Sequence, residues 1–256
     1  MKDLLEDTFF TDLMDRQTAS KHIMQGSDEW DQARLGRFTS SEFYKIMECG
    51  KRPMTDAELQ ARPKTGKGSK TTLVPDPSKM SAPGLKYIRQ KVWETLAGIP
   101  LPGPYAYPLV WGKEKEPEAI ECFEKKYGIE TITVGFQAYT DHAGGSPDRL
   151  IGDDEGLEIK CPSSDEQIDY LMMSDHHDLK RNYPQYYWQC VSLMLFTDRK
   201  KWHFCTFDPR MVEEKHQLTH IEIEWAKVEE DIDAIGKALE GAVKEKLHLL
   251  QILCTA

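Results

Sequence analysis

The chain of 256 residues has a hydrophobic fraction of 39%, a charged fraction of 30% and a formal net charge of −10. No apolar run approaches the roughly 18 residues that a membrane span needs, and the first residues lack the basic-then-apolar order of a secretory signal. These features argue against a membrane or secreted protein. They predict a soluble intracellular protein folded as a single domain over residues 1–256.

The net negative charge argues at first against a nucleic-acid partner, because phosphate contacts from basic side chains supply much of the affinity for DNA. The charge is unevenly spread, however. Residues 50–80 carry seven basic and three acidic side chains, a net of +4, whereas residues 213–247 carry five basic and ten acidic ones, a net of −5. Since local charge matters more than the sum, a positive DNA channel is compatible with this composition.

The six cysteines are widely spaced and include no Cys-x-x-Cys pair. Structural zinc sites usually take paired ligands at short spacing, and iron–sulfur clusters need four thiolates. Disulfides would be unusual in an intracellular protein. We therefore expect most of these cysteines to be small core residues rather than ligands.

Residues 1–24 mix charged and apolar side chains and predict a short helix or arm. Ser27 is a typical N-cap residue, and Gly36 is placed to end the helix that follows it. A second start signal at Thr39 predicts another helix. The N-terminal part of the chain should therefore be two short helices joined by a tight connection.

Two arginines and a hydroxyl lie in this connection, namely Arg34, Arg37 and Ser41. A helix N-terminus attracts phosphate through its free N–H groups and its dipole, and nearby cations add to that attraction. The residues alone equally fit a capped turn with solvated arginines. Both interpretations remain open at this point.

Residues 50–81 are rich in Lys, Gly, Pro, Ser and Thr and predict a flexible basic loop. A helical pattern begins at Pro83 and stops at Gly98. The next helix should run from about Leu109 to Tyr127. It includes Glu116, which lies among several other glutamates and would by itself be interpreted as solvated.

A strand is predicted over residues 131–140, and it leads into a hairpin that contains the most informative residues of the chain. Its second strand places Glu158 and Lys160 on one face, because strand side chains alternate, and Asp148 can reach them from the partner strand. Carboxylate oxygens are ligands for Mg²⁺, and a neighbouring lysine can stabilise developing charge. Alternatively, the charged pair is ordinary surface decoration.

An aromatic helix is predicted from Asn182 to Phe196, and it includes Gln189. Alternating patterns predict two further strands, at 201–207 and 217–225. The remaining tail reads as an acidic amphipathic helix, which would suit subunit packing or a solvated cap.

Several blocks of the sequence resemble the lambda exonuclease (YqaJ-like) family of viral recombinases, and they occur in the family's order. The blocks are QGSDEW at 25–30, ARLG at 33–36, TSS at 39–41, WGK at 111–113 with Glu116, SPD at 146–148, LEIKCP at 157–162, YYWQ at 186–189 and FDPRM at 207–211. They span most of the chain, and their number makes the resemblance specific.

The resemblance implies an α/β fold with a restriction-endonuclease-like core, in which a small mixed β-sheet is flanked by α-helices. It implies a Mg²⁺- or Mn²⁺-dependent nuclease that digests one strand of linear duplex DNA from the 5′ end and leaves a 3′ overhang. It also implies a ring-shaped homotrimer, a single-strand annealing protein as partner, and a phage or prophage gene expressed in the bacterial cytoplasm.

The resemblance further assigns roles to individual residues. Asp148 and Glu158 would bind the metal, with the backbone carbonyl of Ile159 as a third ligand. Lys160 would position water or stabilise charge, while Glu116 and Gln189 would assist. The terminal 5′-phosphate of DNA would be held by Arg34, Ser41 and Ser146.

The chain departs from the family pattern at Arg149, where glycine is frequent, and in the long basic segment at 50–81. Either departure can alter the grip on substrate. Two other functions remain open: an endonuclease or DNA-repair nuclease with the same core, and a DNA-binding recombination accessory protein without catalysis. The presence of Asp148, Glu158 and Lys160 together argues against the second.

Overall fold

A computed structural model describes residues 25–61, 72–101 and 107–255 of the chain. The helix or arm predicted for residues 1–24 lies outside these ranges, as does the middle of the predicted basic loop. No helix in the described ranges is both long enough and apolar enough to cross a bilayer.

The described residues form ten α-helices and nine β-strands. The helices are α1 Asp28–Arg34, α2 Tyr44–Met47, α3 Asp56–Gln60, α4 Ala82–Ala97, α5 Tyr107–Tyr127, α6 Gln167–Leu171, α7 His176–Asn182, α8 Pro184–Thr197, α9 Glu214–Gln217 and α10 Glu229–Thr255. The strands are β1 Phe38–Thr39, β2 Cys49–Pro53, β3 Leu73–Met80, β4 Gln137–Thr140, β5 Ala143–Gly145, β6 Arg149–Ile151, β7 Glu155–Lys160, β8 Lys201–Phe207 and β9 Leu218–Glu224.

The central sheet has four strands in the order β6-β7-β8-β9. The β6–β7 pair is antiparallel, with Arg149 opposite Leu157, and is the hairpin predicted from the sequence. Strands β7 and β8 are parallel and β8 and β9 antiparallel, so the sheet is mixed. Helices flank it, and the predicted α/β architecture is confirmed.

The central sheet separates two hydrophobic clusters. Strand alternation directs Trp202 and Phe204 of β8 into the larger cluster, which also contains residues of α8 and α10. The smaller cluster, which contains Leu157 of β7 and Phe123 of α5, lies on the opposite face. Each face of the sheet is therefore covered by helices, as expected for a sheet that contains parallel strands.

A second, three-stranded sheet in the order β1-β5-β4 holds the N-terminal elements against the core. Strand β1 pairs in parallel with β5, with Phe38 opposite Ala143. Helix α1 begins at the predicted N-cap, where the Ser27 hydroxyl accepts a hydrogen bond from the Trp30 N–H at 3.2 Å. The segment after Thr39 differs from the predicted helix, because it begins as a short 3₁₀ turn over Ser40–Glu42.

Two stretches predicted from composition differ in the structure. The prediction of a loop over 50–81 is wrong at both ends, because β2 and β3 form an antiparallel pair with Lys51 opposite Pro75. Backbone hydrogen bonds stabilise this pair, and the prolines in β3 are tolerated because each strand of a two-stranded sheet is an edge. The strand predicted over 131–140 begins only at Gln137, and Ile132 forms an isolated bridge to Leu150.

Candidate active site

The β6–β7 hairpin brings two carboxylates together. Extending the register of Arg149 opposite Leu157 by one residue places Asp148 beside Glu158. The Ile159 N–H donates a hydrogen bond to Asp148 Oδ2 at 2.7 Å, which ties the first carboxylate to the second strand. The aspartate is therefore fixed by the strand that carries the glutamate.

Glu158 is fully buried, at 0% exposure, in a predominantly apolar sheet. Its Oε1 atom accepts hydrogen bonds from Lys160 Nζ and from Gln189 Nε2 of α8, both at 2.5 Å. Its Oε2 atom is buried and has no hydrogen-bond partner among the described residues. Because a buried carboxylate oxygen without a partner is costly, this atom is suited to bind a cation.

Burial destabilises the charged forms of the carboxyl groups at this site. Burial, and then repulsion from Asp148, raises the pKa of Glu158 to about 8. Burial also raises the pKa of Asp148, although Lys160 opposes the shift. Burial would lower the pKa of Lys160, but attraction by Glu158 and Asp148 outweighs it, so the pKa of the ammonium lies above its ordinary value. An additional positive charge at this site would stabilise the charged forms of both Asp148 and Glu158.

Glu116 belongs to the same electrostatic environment, although α5 carries it to the edge of the site. Burial raises the pKa of Glu116, and repulsion from Asp148 is the next largest cause. Its side chain is not among those that line the cavity described below. Pro117 lies within the helix directly after it. Glu116 is thus close enough to interact through charge with the hairpin carboxylates.

A cavity of about 180 Å³ opens beside the hairpin and combines the two groups of residues predicted from the sequence. One part of its lining consists of Asp148, Glu158, Lys160 and Gln189, and another part consists of Arg34, Ser41 and Ser146. Four further residues line it that carried no predicted role: Gln25, Trp30, Thr39 and Ser40. A larger surface groove of about 590 Å³, beside α5 and β9, contains none of the predicted site residues.

The cationic part of the cavity is built around Trp30. The Arg34 guanidinium stacks on the Trp30 ring, 3.7 Å from its centroid, while Trp30 Nε1 donates to Ser146 Oγ at 2.8 Å. The carboxylates of Asp31, Glu42 and Glu94 attract the Arg34 guanidinium electrostatically, although no direct ion pair of Arg34 is found among the described residues. Burial lowers the pKa of Arg34, but its ordinary value is so high that the side chain stays charged. A preoriented guanidinium beside two hydroxyls can bind a phosphate.

The turn after Arg34 is held by buried charges from two helices. Gly36 has φ +67°, in the left-handed region, and its N–H donates to Glu94 Oε2 of α4 at 3.0 Å. Its carbonyl oxygen accepts a hydrogen bond from Lys246 Nζ of α10 at 2.7 Å. Lys91 completes the cluster by pairing with Glu94. These contacts fix the end of α1, which carries Arg34.

A close approach at Gly145 sets the distance between the N-terminal elements and the core. A Cβ atom there would lie 2.5 Å from Leu193 Cδ2 of α8 and 2.6 Å from Ser40 Oγ. Only glycine allows β5 to pack between these neighbours without displacement. Ser146, the next residue, is thereby held at the cavity wall.

Arg210 and Trp111 organise the chain that leaves β7. Trp111 Nε1 donates to the Pro162 carbonyl at 3.1 Å, and the Arg210 guanidinium lies 4.9 Å from the centroid of the Trp111 ring. Arg210 also donates to the carbonyls of Pro162 and Ser164. These contacts connect α5, which carries Glu116, to the end of the strand that carries Glu158 and Lys160.

Comparison with solved structures identifies the class of fold. The chain is similar to an alkaline exonuclease (LHK-Exo) from Laribacter hongkongensis, also solved in complex with dAMP, with 22% identity, a TM-score of 0.63, and coverage of 90% of this chain and 99% of that one. It is also similar to a phage related exonuclease from Haemophilus somnus 129PT, with 14% identity, a TM-score of 0.62, and coverage of 85% and 96%. The chain therefore has the alkaline exonuclease fold.

The family model of the YqaJ-like viral recombinase domain matches residues 29–200, which is more than half of the chain. The protein belongs to this family, and the resemblance inferred from its motifs is confirmed. No curated protein sequence matches the chain.

Proposed function

We propose that this protein is a metal-dependent exonuclease that digests one strand of linear duplex DNA from its 5′ end and leaves a 3′ overhang for phage-type recombination. The observation that carries the proposal is the shared cavity, in which Asp148, the buried Glu158 and the Lys160 ammonium lie beside the Arg34 guanidinium that is stacked on Trp30. Membership of a viral recombinase family supports the recombination role.

Asp148 and Glu158, together with the Ile159 carbonyl, would hold Mg²⁺ or Mn²⁺. The donor set fits, because hard oxygen ligands suit these cations and Glu158 Oε2 has no other partner among the described residues. A cation bound there supplies Lewis-acid polarisation of a phosphate and acidifies a bound water.

The chain's own side chains would perform the remaining tasks. Lys160 keeps a fixed positive charge near the position where negative charge develops on the phosphate. Gln189 orients Glu158 through its hydrogen bond to Oε1. Glu116 would accept a hydrogen bond from the attacking water at the edge of the site, where its raised pKa reflects burial close to the hairpin.

The phosphate site accounts for action at DNA ends. Arg34, Ser41 and Ser146 would bind the terminal 5′-phosphate through charge-assisted hydrogen bonds, which places the adjoining phosphodiester near the carboxylates. Because these phosphate-binding residues line the same cavity as the carboxylates, a bound terminal phosphate would set cleavage close to the end of the strand. This arrangement favours an exonuclease over an endonuclease.

We further propose that the protein works in the cytoplasm of a bacterial host as a phage-encoded homotrimer, with a single-strand annealing protein as partner. The description of the family as viral recombinases supports the phage origin. Light scattering should then give three chains per particle, and a monomer at working concentrations would contradict the trimer.

The test uses linear duplexes with 5′-phosphate or 5′-hydroxyl ends and a closed circular plasmid, each incubated with protein and Mg²⁺. We expect shortening of the strand with the 5′-phosphate, slower digestion from 5′-hydroxyl ends, and an intact plasmid. Equal rates on both ends would remove the proposed role of Arg34, and plasmid opening would indicate an endonuclease. Asp148→Asn is the control for contaminating nuclease.

A further inference from the structure

A second group of metal-ligand side chains lies on the opposite face of the central sheet from the candidate active site. One nitrogen each of His203 and His220 and one oxygen of Glu222 all lie within 4.8 Å of one another. His203 belongs to β8, and the other two belong to the neighbouring strand β9. The register of the pair, with His203 opposite Glu222, brings them together.

The orientation of His203 is set by a carboxylate. His203 Nε2 lies 2.6 Å from Glu155 Oε2 of β7, and His203 Nδ1 lies 2.8 Å from His220 Nε2. If Nε2–H donates to Glu155, the Nδ1 lone pair is directed toward His220. Histidine ligands of metals commonly donate their other N–H to a carboxylate, which fixes the ring and makes the ligating nitrogen more basic.

Aromatic rings of α5 enclose the two histidines. The Tyr127 ring lies 4.7 Å from the His220 ring, and the Phe123 ring lies 5.6 Å from the His203 ring, measured between centroids. His203 is only 2% exposed. Burial, with repulsion from His203, lowers the pKa of His220 to about 4, so its imidazole is neutral at pH 7, as a ligand must be.

We propose that His203, His220 and Glu222 form a binding site for Zn²⁺, with Glu155 orienting His203 and water as the fourth ligand. Two imidazoles and one carboxylate suit zinc, whereas Mg²⁺ prefers oxygen ligands alone. The site thus differs in metal class from the carboxylate pair on the other face. It is independent of the proposed nuclease function.

The site needs only small rearrangements to accept the ion. Tetrahedral zinc with Zn–N bonds of about 2.0–2.1 Å holds its nitrogens about 3.3 Å apart, so the histidines must separate by about 0.5 Å. His220 must carry its proton on Nδ1. Glu222 must leave Lys201, 3.4 Å away, but its side chain is 44% exposed and such ion pairs are weak.

Zinc at this position would join β8 to β9, and β8 also pairs with β7, the strand that carries Glu158 on its other face. Zinc binding should raise the melting temperature of the protein, because the ion binds the folded state and the unfolded chain holds no preformed site.

The test is titration of the full chain with Co²⁺, a coloured probe for zinc sites, with Mg²⁺ in excess to compete at the carboxylate pair. We expect one equivalent to produce the visible bands of tetrahedral cobalt and Zn²⁺ to displace it. The bands should be lost in His220→Gln and retained in Asp148→Asn and in His177→Gln, a change to an exposed histidine. Zn²⁺ should raise the melting temperature of the wild type but not of His220→Gln.

Unchanged bands in His220→Gln, or no bands in the wild type, would overturn the proposal. Two further variants keep it testable if His220→Gln does not fold. Glu222→Gln removes the exposed ligand, and Glu155→Gln weakens the orienting hydrogen bond. Each should weaken cobalt binding, Glu155→Gln by roughly 10- to 100-fold, and wild-type affinity in both would also overturn the proposal.

Discussion

The two faces of strand β7 provide hydrogen-bond partners for their carboxylates in different ways. On one face, Glu158 lines an open cavity and keeps an oxygen that no group in the described part of the chain hydrogen-bonds. On the other face, Glu155 is bonded to His203, which in turn is bonded to His220, in a chain of hydrogen bonds across three strands. The Glu158 oxygen is thus available to a cation, whereas Glu155, His203 and His220 form hydrogen bonds with one another without a ligand.

The difference follows from the chemistry of the donors. A carboxylate only accepts hydrogen bonds, so a buried carboxylate without enough N–H donors retains free lone pairs. Imidazole both donates and accepts, so a histidine pair can satisfy itself and still open to admit an ion. The central sheet thus carries a carboxylate pair on one face and a histidine pair with carboxylates on the other.

Removal of a carboxylate from the cavity face should have the largest effect on activity. In Asp148→Asn or Glu158→Gln we expect nuclease turnover to fall by about 10³-fold or more, since metal-assisted charge stabilisation is worth several kcal/mol. His220→Gln, on the opposite face, should change turnover little. Steady-state digestion of linear duplex, with circular dichroism to verify folding, tests the contrast. Similar losses in both variants would contradict the separation of the faces.

Loss of the guanidinium should affect end recognition next most strongly. For Arg34→Ala we expect digestion from 5′-phosphorylated ends to slow by roughly 10- to 100-fold, because a charge-assisted hydrogen bond is worth about 1.5–3 kcal/mol. Digestion from 5′-hydroxyl ends should change much less. Rates on the two substrates check this, and a uniform loss on both would assign Arg34 a general electrostatic role instead.

The close packing at Gly145 gives a smaller effect on stability. Gly145→Ala should lower the free energy of unfolding by about 1–3 kcal/mol, because the new methyl group would overlap Leu193 and Ser40. Gly236→Ala in α10 is the matched control, since a Cβ there meets nothing within 4 Å and alanine favours a helix by about 1 kcal/mol. Denaturant titration should show opposite signs, and equal effects would contradict the packing account.

The smallest expected effects are on the free energy of unfolding of the metal-free protein, because the two faces make it depend on pH in opposite directions. Glu158 has a folded pKa of about 8, raised from 4.5, so the folded state binds the extra proton and this residue makes stability fall between pH 4.5 and 8. His220 has a folded pKa of about 4, lowered from 6.5, so the unfolded state binds the extra proton and stability rises between pH 4 and 6.5.

The two variants separate these contributions. Glu158→Gln should make the slope of unfolding free energy against pH more positive, and His220→Gln should make it less positive, each by at most about 1.4 kcal/mol per pH unit. Urea titrations in EDTA at several pH values measure both slopes. Slopes that change in the same direction would show that the two faces do not differ in this way.

Local patterns predicted much of the cavity face. Alternation in β7 placed Glu158 and Lys160 on one face, and the capping pattern placed the start of α1 at Ser27. These features depend on residues that are close in sequence, so the hairpin and the cap could be recognised. The loop predicted from composition over 50–81 was wrong at its ends, because the pairing of β2 with β3 depends on backbone hydrogen bonds rather than apolar side chains.

The remaining features depend on contacts between distant parts of the chain. The hydrogen bond from Trp30 to Ser146 joins residues 116 positions apart. In the sequence, the only sign that Trp30 belongs to the site was its place in the first family block. The fit of Ser40 against Gly145 has no sequence signature. The meeting of His203 and His220 requires the register of β8 against β9, which alternation alone does not determine.

The central claim is that Asp148 and Glu158 together bind a divalent cation, and Mn²⁺ binding followed by electron paramagnetic resonance tests it most directly. The wild type and His220→Gln should both bind Mn²⁺ at this site, and Glu158→Gln should lose it. Wild-type Mn²⁺ affinity in Glu158→Gln would contradict the claim.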